Sequence, residues 1–221
     1  MKKGIFISFE GGEACGKSTQ IKMLKEYISK HSNPEKFYFV REPGGPPLAE
    51  EIRKLILNYE EDKPLPMTEL LLFCAARVQN ANRKIIPALN EGKVVIADRF
   101  YDSTIAYQGM ARNIMSAQNI LSLTKMIIGD LKPDATIYLQ LEPEEAFKRK
   151  NKMDEKLDRI ELEGMDFHKK VKEGYDYIAK IEPERFIPID ASKSPQEVFD
   201  DIIATLTKKF PKLFNWLTYG N

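Results

Sequence analysis

The chain of 221 residues lacks the features that mark several classes of protein. Its only two cysteines, Cys15 and Cys74, give neither a disulfide framework nor the paired spacing of a structural metal site. No uninterrupted apolar run approaches the roughly 20 residues that a transmembrane helix needs. Its 34 lysines and arginines balance 33 acidic residues to a net charge of +1. Because neither sign dominates, we expect no binding to nucleic acid or to a membrane.

Signals for export and for several domains are also missing. Met1–Gly4 lead directly into an apolar segment, so we expect no signal peptide. One of the two cysteines, Cys15, lies within the glycine-rich motif described below, which fits a reducing compartment, and the expected location is therefore the cytoplasm. No internal repeat or low-complexity linker divides the sequence, and its length suits one domain over residues 1–221.

The strongest positive signal is Gly11–Ser18, which fits the phosphate-binding pattern G-x-x-x-x-G-K-[ST]. The β-prone run Ile5–Phe9 precedes it, and apolar residues recur at helical spacing over Ile21–Ile28. Strand, glycine-rich loop and helix are the context that this motif requires. Gly11 and Gly16 allow backbone angles at which successive N–H groups surround an anion. The positive end of the following helix then points at that anion, so we predict a nucleotide phosphate site.

Three side chains of this region have predicted roles in the chemistry. Lys17 reaches the outer phosphates, and the hydroxyl of Ser18 binds magnesium. Asp98 follows the apolar run Val94–Ala97, and an acidic residue at the end of such a strand belongs to the magnesium shell in nucleotide-binding folds. Arg41 and Glu42 end another strand, where parallel sheets bind ligands.

Segments with strand character alternate with segments of helical periodicity along the whole chain. The predicted strands are Ile5–Phe9, Phe37–Val40, Val94–Ala97, Thr136–Leu141 and Arg185–Ile189. Helices are predicted over residues 17–30, 48–58, 68–90, 116–129 and 157–181, with others opening at Pro143 and Pro195. Pro87 is expected to distort the last turn of its helix. The alternation predicts a three-layer α/β/α fold around a five-stranded parallel sheet.

Three classes of phosphate-loop protein compete. A GTPase needs D-x-x-G, yet no aspartate stands three residues before any glycine. Asn151–Asp154 matches the guanine-recognising N-K-x-D, but it lies in a charged stretch and not after an apolar strand, so we interpret the match as accidental. A motor ATPase needs a longer chain and arginines from a partner. A small-molecule kinase needs only a donor site, an acceptor pocket and a basic lid.

A series of further motifs resembles the bacterial thymidylate kinases over essentially the whole chain. The motifs are Phe9–Gly11, Arg41–Gly45, Glu51–Arg53, Leu71–Phe73 with Arg77, Asp98–Phe100, Asp102–Thr104 with Ala106–Gly109, and Leu157–Glu161. The resemblance implies a phosphate-loop nucleoside monophosphate kinase fold. It also implies transfer of the γ-phosphoryl group of ATP to dTMP with Mg²⁺ in dTTP biosynthesis, and a homodimer.

The resemblance further implies which residues bind each substrate. The ATP side comprises Gly11, Gly12, Glu13, Ala14, Cys15, Gly16, Lys17, Ser18 and Thr19, with Arg149 and, beside the adenine, Ala191. On the dTMP side, Arg53 and Arg99 bind the phosphate, with Glu42 close by. Glu13 lies at the sugar, and Tyr107 lies against the sugar and disfavours ribose. Phe73 stacks on thymine, and its polar edges are bound by Arg77, Thr104 and Gln108. Lys17, Glu13, Arg99 and Arg149 are the expected catalytic residues.

A basic lid is expected over about residues 147–160. Family members without an arginine in the phosphate loop supply basic side chains from this lid, and Glu13–Cys15 contain none. Arg149 and Arg159 are the first candidates to meet the transferring phosphate, with Lys152 third. Of the residues in the charged stretch, only Arg149 keeps the arginine spacing of relatives. The alternatives left open are a kinase acting on dUMP or UMP, and a non-catalytic nucleotide-binding module.

Overall fold

The computed structural model describes residues 4–58, 62–151 and 158–211. Its strands are β1 (Ile5–Glu10), β2 (Phe37–Arg41), β3 (Val94–Asp98), β4 (Ala135–Gln140) and β5 (Phe186–Asp190). Its α-helices are α1 (Lys17–His31), α2 (Pro47–Asn58), α3 (Pro66–Asn80), α4 (Ile86–Asn90), α5 (Tyr101–Thr104), α6 (Ala117–Ile128), α7 (Pro143–Lys150), α8 (Met165–Ile181) and α9 (Pro195–Lys209). Within these ranges, no helix is both long and apolar enough to span a bilayer.

The five strands form one parallel sheet in the order β2-β3-β1-β4-β5. Neighbouring side chains of a strand enter different cores: Val95 packs with helices α2 to α6 and α8, whereas Ile96 packs with α1 and α9. Both faces of the sheet are therefore covered, which explains the continuous apolar runs of the strands. The predicted three-layer fold is confirmed. In the registers of β1 and β2 with β3, Phe9 and Arg41 both pair with Asp98, so their following loops meet at one edge.

The helix predicted over residues 68–90 is interrupted. After α3 the backbone forms a π-helical segment, Ala81–Ile85, before α4 begins. Pro87 lacks an amide hydrogen, so a regular α-helix here would leave a carbonyl one turn earlier without its donor. A second π-helical segment, Ile105–Ala111, follows α5, and the sequence patterns had assigned no helix to Tyr101–Ala111. This segment carries two predicted site residues, Tyr107 and Gln108.

The start predicted for the helix over residues 157–181 is wrong. Residue 157 lies outside the described ranges, and α8 begins only at Met165. The Asp158 carboxylate accepts hydrogen bonds of 2.9 Å from the backbone N–H groups of Ile160 and Glu161. Such side-chain bonds compete with helical ones and favour a turn. The predicted lid is described only at its two ends, because residues 152–157, including Lys152, lie outside the described ranges.

Candidate active site

The phosphate loop has the backbone that its glycines were predicted to permit. Gly11 has φ 149° and Gly16 has φ 91°, both in the region that favours glycine. A Cβ on Gly11 would lie 2.7 Å from the Cys15 sulfur, which is buried inside the loop. Helix α1 starts at Lys17, so its N-terminal amides face the loop. Ser18 and Thr19 are exposed in its first turn.

A cleft of about 190 Å³ opens beside this loop at the carboxyl edge of the sheet. Its walls bring together many of the predicted residues: Glu13, Lys17, Ser18, Glu42, Arg53, Phe73, Asp98, Arg99, Thr104, Tyr107 and Gln108. Arg41, Ser103 and the turn residues Asp158, Ile160 and Glu161 also line it. Side chains as far apart in sequence as Glu13 and Glu161 thus share one site, as ligand sites at this edge of parallel sheets require.

Glu13 and Arg99 form an ion pair in this cleft. Nη2 of Arg99 lies 2.8 Å from Oε1 of Glu13, and its Nη1 donates to the Gly11 carbonyl at 2.9 Å. Tyr107 donates its hydroxyl to the same Glu13 oxygen at 2.6 Å. Burial alone would raise the pKa of Glu13, but the charges of Arg99 and Lys17 and the Tyr107 hydrogen bond lower it to about 2. Glu13 is therefore ionised throughout the neutral range.

A buried carboxylate behind Arg99 supports its position. Glu10 accepts hydrogen bonds from the Phe100 amide at 2.7 Å, the Ser103 hydroxyl at 2.6 Å and the Tyr175 hydroxyl at 2.9 Å. Nη1 of Arg99 donates to the Tyr175 hydroxyl at 3.0 Å. Arg99 adopts φ 68°, an uncommon value for a residue with a side chain. This network therefore fixes a guanidinium whose backbone is held in an unfavourable region.

Sequence patterns missed most of this support. In the sequence, Glu10 belongs only to the Phe9–Gly11 motif, which assigns it no role. Tyr175 lies on the apolar face of α8 and is fully buried, so its periodicity indicated only a core residue. The one available signal was a glutamate at the end of a mostly apolar strand, because a buried carboxylate needs several donors.

Arg77 does not line the cleft but lies behind it, with 2% of its surface exposed. Its Nε donates to Oε2 of Glu42 at 2.8 Å, and its Nη2 lies 3.3 Å from the Phe100 carbonyl. Asn80 donates to the other oxygen of Glu42 at 3.3 Å. Nη1 of Arg77 has no partner among the described residues, and neither has the buried hydroxyl of Thr104. Buried polar groups rarely lack partners, so these two atoms are candidates to bind a ligand.

Two other predicted residues form parts of the cleft wall. Arg53, on α2, donates from Nη1 to the Pro43 carbonyl at 2.9 Å, and its pKa is lowered, chiefly by burial and then by the charge of Arg41. Phe73 packs at the edge of the core on α3 and presents its ring to the cleft. An arginine and an aromatic ring are thus available for an anionic and a flat group respectively.

The two lid candidates with described positions, Arg149 and Arg159, are bonded to other protein groups. Nη2 of Arg149 donates to the carbonyls of Ala191 at 2.9 Å and Ser192 at 3.4 Å, which places it on the loop after β5. Arg159 pairs with Glu69 at 2.5 Å on α3. Neither guanidinium lines the cleft.

The predicted magnesium ligands, Ser18 and Asp98, line the same cleft. The described residues contain no group of three His, Cys, Asp or Glu side chains that would enclose a metal ion. This donor set nevertheless fits Mg²⁺, which prefers oxygen ligands and usually binds through one or two carboxylates together with substrate phosphates.

Comparisons with known proteins agree with this geometry. A family model described as "Thymidylate kinase" matches residues 9–202. The chain is 43% identical over 211 residues to a thymidylate kinase of Bacillus velezensis, covering 95% of this chain and 98% of the relative. It is 44% identical over 210 residues to one from Symbiobacterium thermophilum, covering 95% and 96%. The crystal structure of thymidylate kinase from Ehrlichia chaffeensis matches with a TM-score of 0.76 and 32% identity, covering 92% of this chain and 98% of that one. The chain belongs to the thymidylate kinase family.

Proposed function

We propose that this nucleoside monophosphate kinase transfers the γ-phosphoryl group of ATP to dTMP and releases dTDP, a step toward dTTP. The observation that carries the assignment of the base is that Arg77 Nη1 and Thr104 Oγ1 are buried and have no partner among the described residues, while Thr104 and the aromatic ring of Phe73 line the cleft. Thymine offers a carbonyl at position 4 that accepts from an arginine, whereas cytosine offers an amino group there. An unsatisfied buried donor disfavours the wrong base.

The rest of dTMP meets the other wall of the cleft. Arg53 and Arg99 are proposed to bind its phosphate, because a guanidinium binds phosphate oxygens through two parallel hydrogen bonds. Glu42 lies close by and orients Arg77. Glu13 is proposed to accept from the sugar 3′-hydroxyl, and the Tyr107 ring to fill the space that a ribose 2′-hydroxyl would need.

The donor nucleotide is proposed to lie on the phosphate loop, Gly11 to Thr19, with its adenine beside Ala191 and Arg149. Lys17 neutralises the outer phosphates, and Mg²⁺ held by Ser18 and Asp98 would supply further neutralisation when bound. The acceptor phosphate is already ionised, so Glu13 and Arg99 have to position it and need not remove a proton. The ion pair between Glu13 and Arg99, with Arg99 also bonded to Gly11, links the acceptor side to the donor loop.

The proposal also covers domain organisation, the lid, cellular location and oligomeric state. The chain is one domain over residues 1–221 whose lid, about 147–160, supplies a catalytic cation, with Arg149 the first candidate. We propose a cytoplasmic homodimer that binds neither nucleic acid nor membrane. Exposed Leu55, Leu65, Met67 and Leu71 on and between α2 and α3 offer an apolar surface for the second copy.

The deciding experiment is a panel of nucleoside monophosphates with MgATP. The purified protein is expected to phosphorylate dTMP much faster than UMP, CMP or AMP. Equal rates on dTMP and UMP would contradict the assignment of dTMP as the preferred acceptor. Absence of transfer to every acceptor, with ATP still bound, would favour a nucleotide-binding module. A protein that only binds a nucleotide does not need the three arginines Arg53, Arg77 and Arg99 for a second substrate, so their presence favours the kinase.

A further inference from the structure

The buried carboxylate of Glu69 lies behind the acceptor cleft, on α3, and has no part in the proposed transfer. Only 1% of its surface is exposed. Its Oε1 accepts a hydrogen bond of 2.8 Å from Nε2 of Gln108, which lines the cleft. Two arginines contact the same carboxylate: Arg159 at 2.5 Å and Arg112 at 3.3 Å. Glu69 thus joins Gln108, which lines the cleft, to Arg159 at the C-terminal end of the lid.

The charge of Glu69 determines which atom Gln108 gives to it. A carboxylate ionised by two neighbouring arginines only accepts hydrogen bonds, so it takes the amide nitrogen and leaves the amide oxygen for the cleft. Burial would raise the pKa of Glu69, but hydrogen bonds from Gln108 and Arg159 and the charge of Arg112 outweigh it and lower the pKa. The orientation of the Gln108 amide is therefore constant across the neutral range.

We propose that Glu69 is a specificity-determining positioning residue, which makes the kinase select a base with an N–H at ring position 3 by holding the amide oxygen of Gln108 toward that position. This inference rests on the proposed function. Thymine and uracil carry a proton on N3, whereas cytosine has a lone pair there. With Oε1 of Gln108 directed into the cleft, the lone pair on N3 of cytosine would face another hydrogen-bond acceptor.

The test substitutes Glu69→Gln, which keeps the shape but donates as well as accepts. Gln108 is then free to turn its amide and to offer Nε2 to the base. The ratio of kcat/KM for dTMP to kcat/KM for dCMP is expected to fall by about 10- to 100-fold, the effect of one hydrogen bond made or left unmade in a buried site. A general loss of stability would lower both values and leave their ratio unchanged.

Glu163→Gln is the matched control. Glu163 contacts Nη1 of Arg112 at 2.6 Å but is not bonded to Gln108. The Glu163→Gln substitution removes a charge from the same network. Its ratio of kcat/KM for dTMP to kcat/KM for dCMP is expected to stay within about twofold of the wild-type ratio. A Glu69→Gln ratio equal to that of Glu163→Gln would overturn the proposal.

A second variant keeps the proposal testable if Glu69→Gln does not fold, since two arginines lose their countercharge. Gln108→Leu removes the amide itself, and the ratio should fall to the same extent. Where Glu69→Gln does fold, adding it to Gln108→Leu should change the ratio no further, because the two residues act through one amide. An unchanged ratio in Gln108→Leu would contradict the inference. If the wild type already fails to prefer dTMP over dCMP, the proposed function itself is wrong.

Discussion

Nη2 of Arg99 lies 2.8 Å from Oε1 of Glu13, while Nη1 of the same guanidinium donates to the Gly11 carbonyl. One arginine, fixed at the end of β3, therefore contacts both the tip of the phosphate loop and its first glycine. If Arg99 binds the acceptor phosphate as proposed, these two contacts would hold that phosphate at a constant position relative to the phosphate loop. Positioning of two anions is the main catalytic requirement of phosphoryl transfer.

Removal of the arginine behind the base pocket tests acceptor recognition. Arg77→Ala is expected to raise the KM for dTMP at least about tenfold and to leave the KM for ATP nearly unchanged, because a charged donor is lost only on the acceptor side. Steady-state kinetics with each substrate varied in turn measures the difference. Arg83→Ala, exposed on the next π-helical segment, is the control. An equal rise in both KM values would contradict the placement of Arg77.

Loss of the Tyr175 hydroxyl should weaken the position of Arg99. Tyr175→Phe removes the contact of 3.0 Å to Arg99 and the hydrogen bond of 2.9 Å to Glu10. We expect the KM for dTMP to rise about tenfold, as for one hydrogen bond to a charged group, without a change for ATP. Tyr177→Phe, on the exposed side of the same helix, should behave like the wild type. Unchanged kinetics with dTMP would show that the Tyr175 hydroxyl does not position Arg99 and that the side chain contributes only to packing.

Glu10 makes the stability depend on pH. Burial and the charge of Asp102 raise its pKa from 4.5 to about 7, although Arg99 and Ser103 oppose this. Between these two pH values the folded state keeps a proton that the unfolded state has released. Its contribution to the free energy of unfolding is therefore present below pH 4.5 and lost as the pH rises through 7. The loss amounts to about 3 kcal/mol at most.

Glu10→Gln should remove this part of the pH dependence. Urea denaturation at pH 5, 6, 7 and 8 is expected to show the variant gaining stability relative to the wild type as the pH rises. Glu26→Gln, which alters an exposed carboxylate on α1, serves as the control and should follow the wild type. Parallel curves for Glu10→Gln and the wild type would show that Glu10 does not titrate in this window.

Arg149 tests whether the lid supplies the catalytic cation. Arg149→Ala is expected to lower kcat at least about tenfold, with a smaller change in the KM for ATP, because the cation acts on charge that develops during transfer. Lys148→Ala, an exposed neighbour, is the control. Arg149 also donates to the carbonyls of Ala191 and Ser192, so its loss could instead disturb the loop after β5. A raised KM for ATP with unchanged kcat would show that Arg149 only holds the loop after β5.

Local patterns were sufficient for the five strands, for most of the helices and for their order. The strand boundaries agree with the predicted ones to within about two residues, and Ser194 forms the capping box that opens α9 at Pro195. Helical periodicity failed at Asp158–Gly164, because the Asp158 side chain forms a turn that no apolar spacing reveals. It also gave no sign of the π-helical segment that carries Tyr107 and Gln108, since such segments depend on the packing of neighbouring helices.

By itself, the sequence determined the phosphate loop, the parallel sheet and the family. Glycine spacing and hydrophobic period act within a few residues and leave a direct record in the chain. Only the tertiary structure decided which charged groups are partners: Arg99 with Glu13 and Tyr175, Glu69 with Gln108, and Arg185 with Asp102 at 2.7 Å across the core. These partners lie 39 to 86 positions apart. A buried charge needs a partner, but the partner's identity depends on how the elements pack.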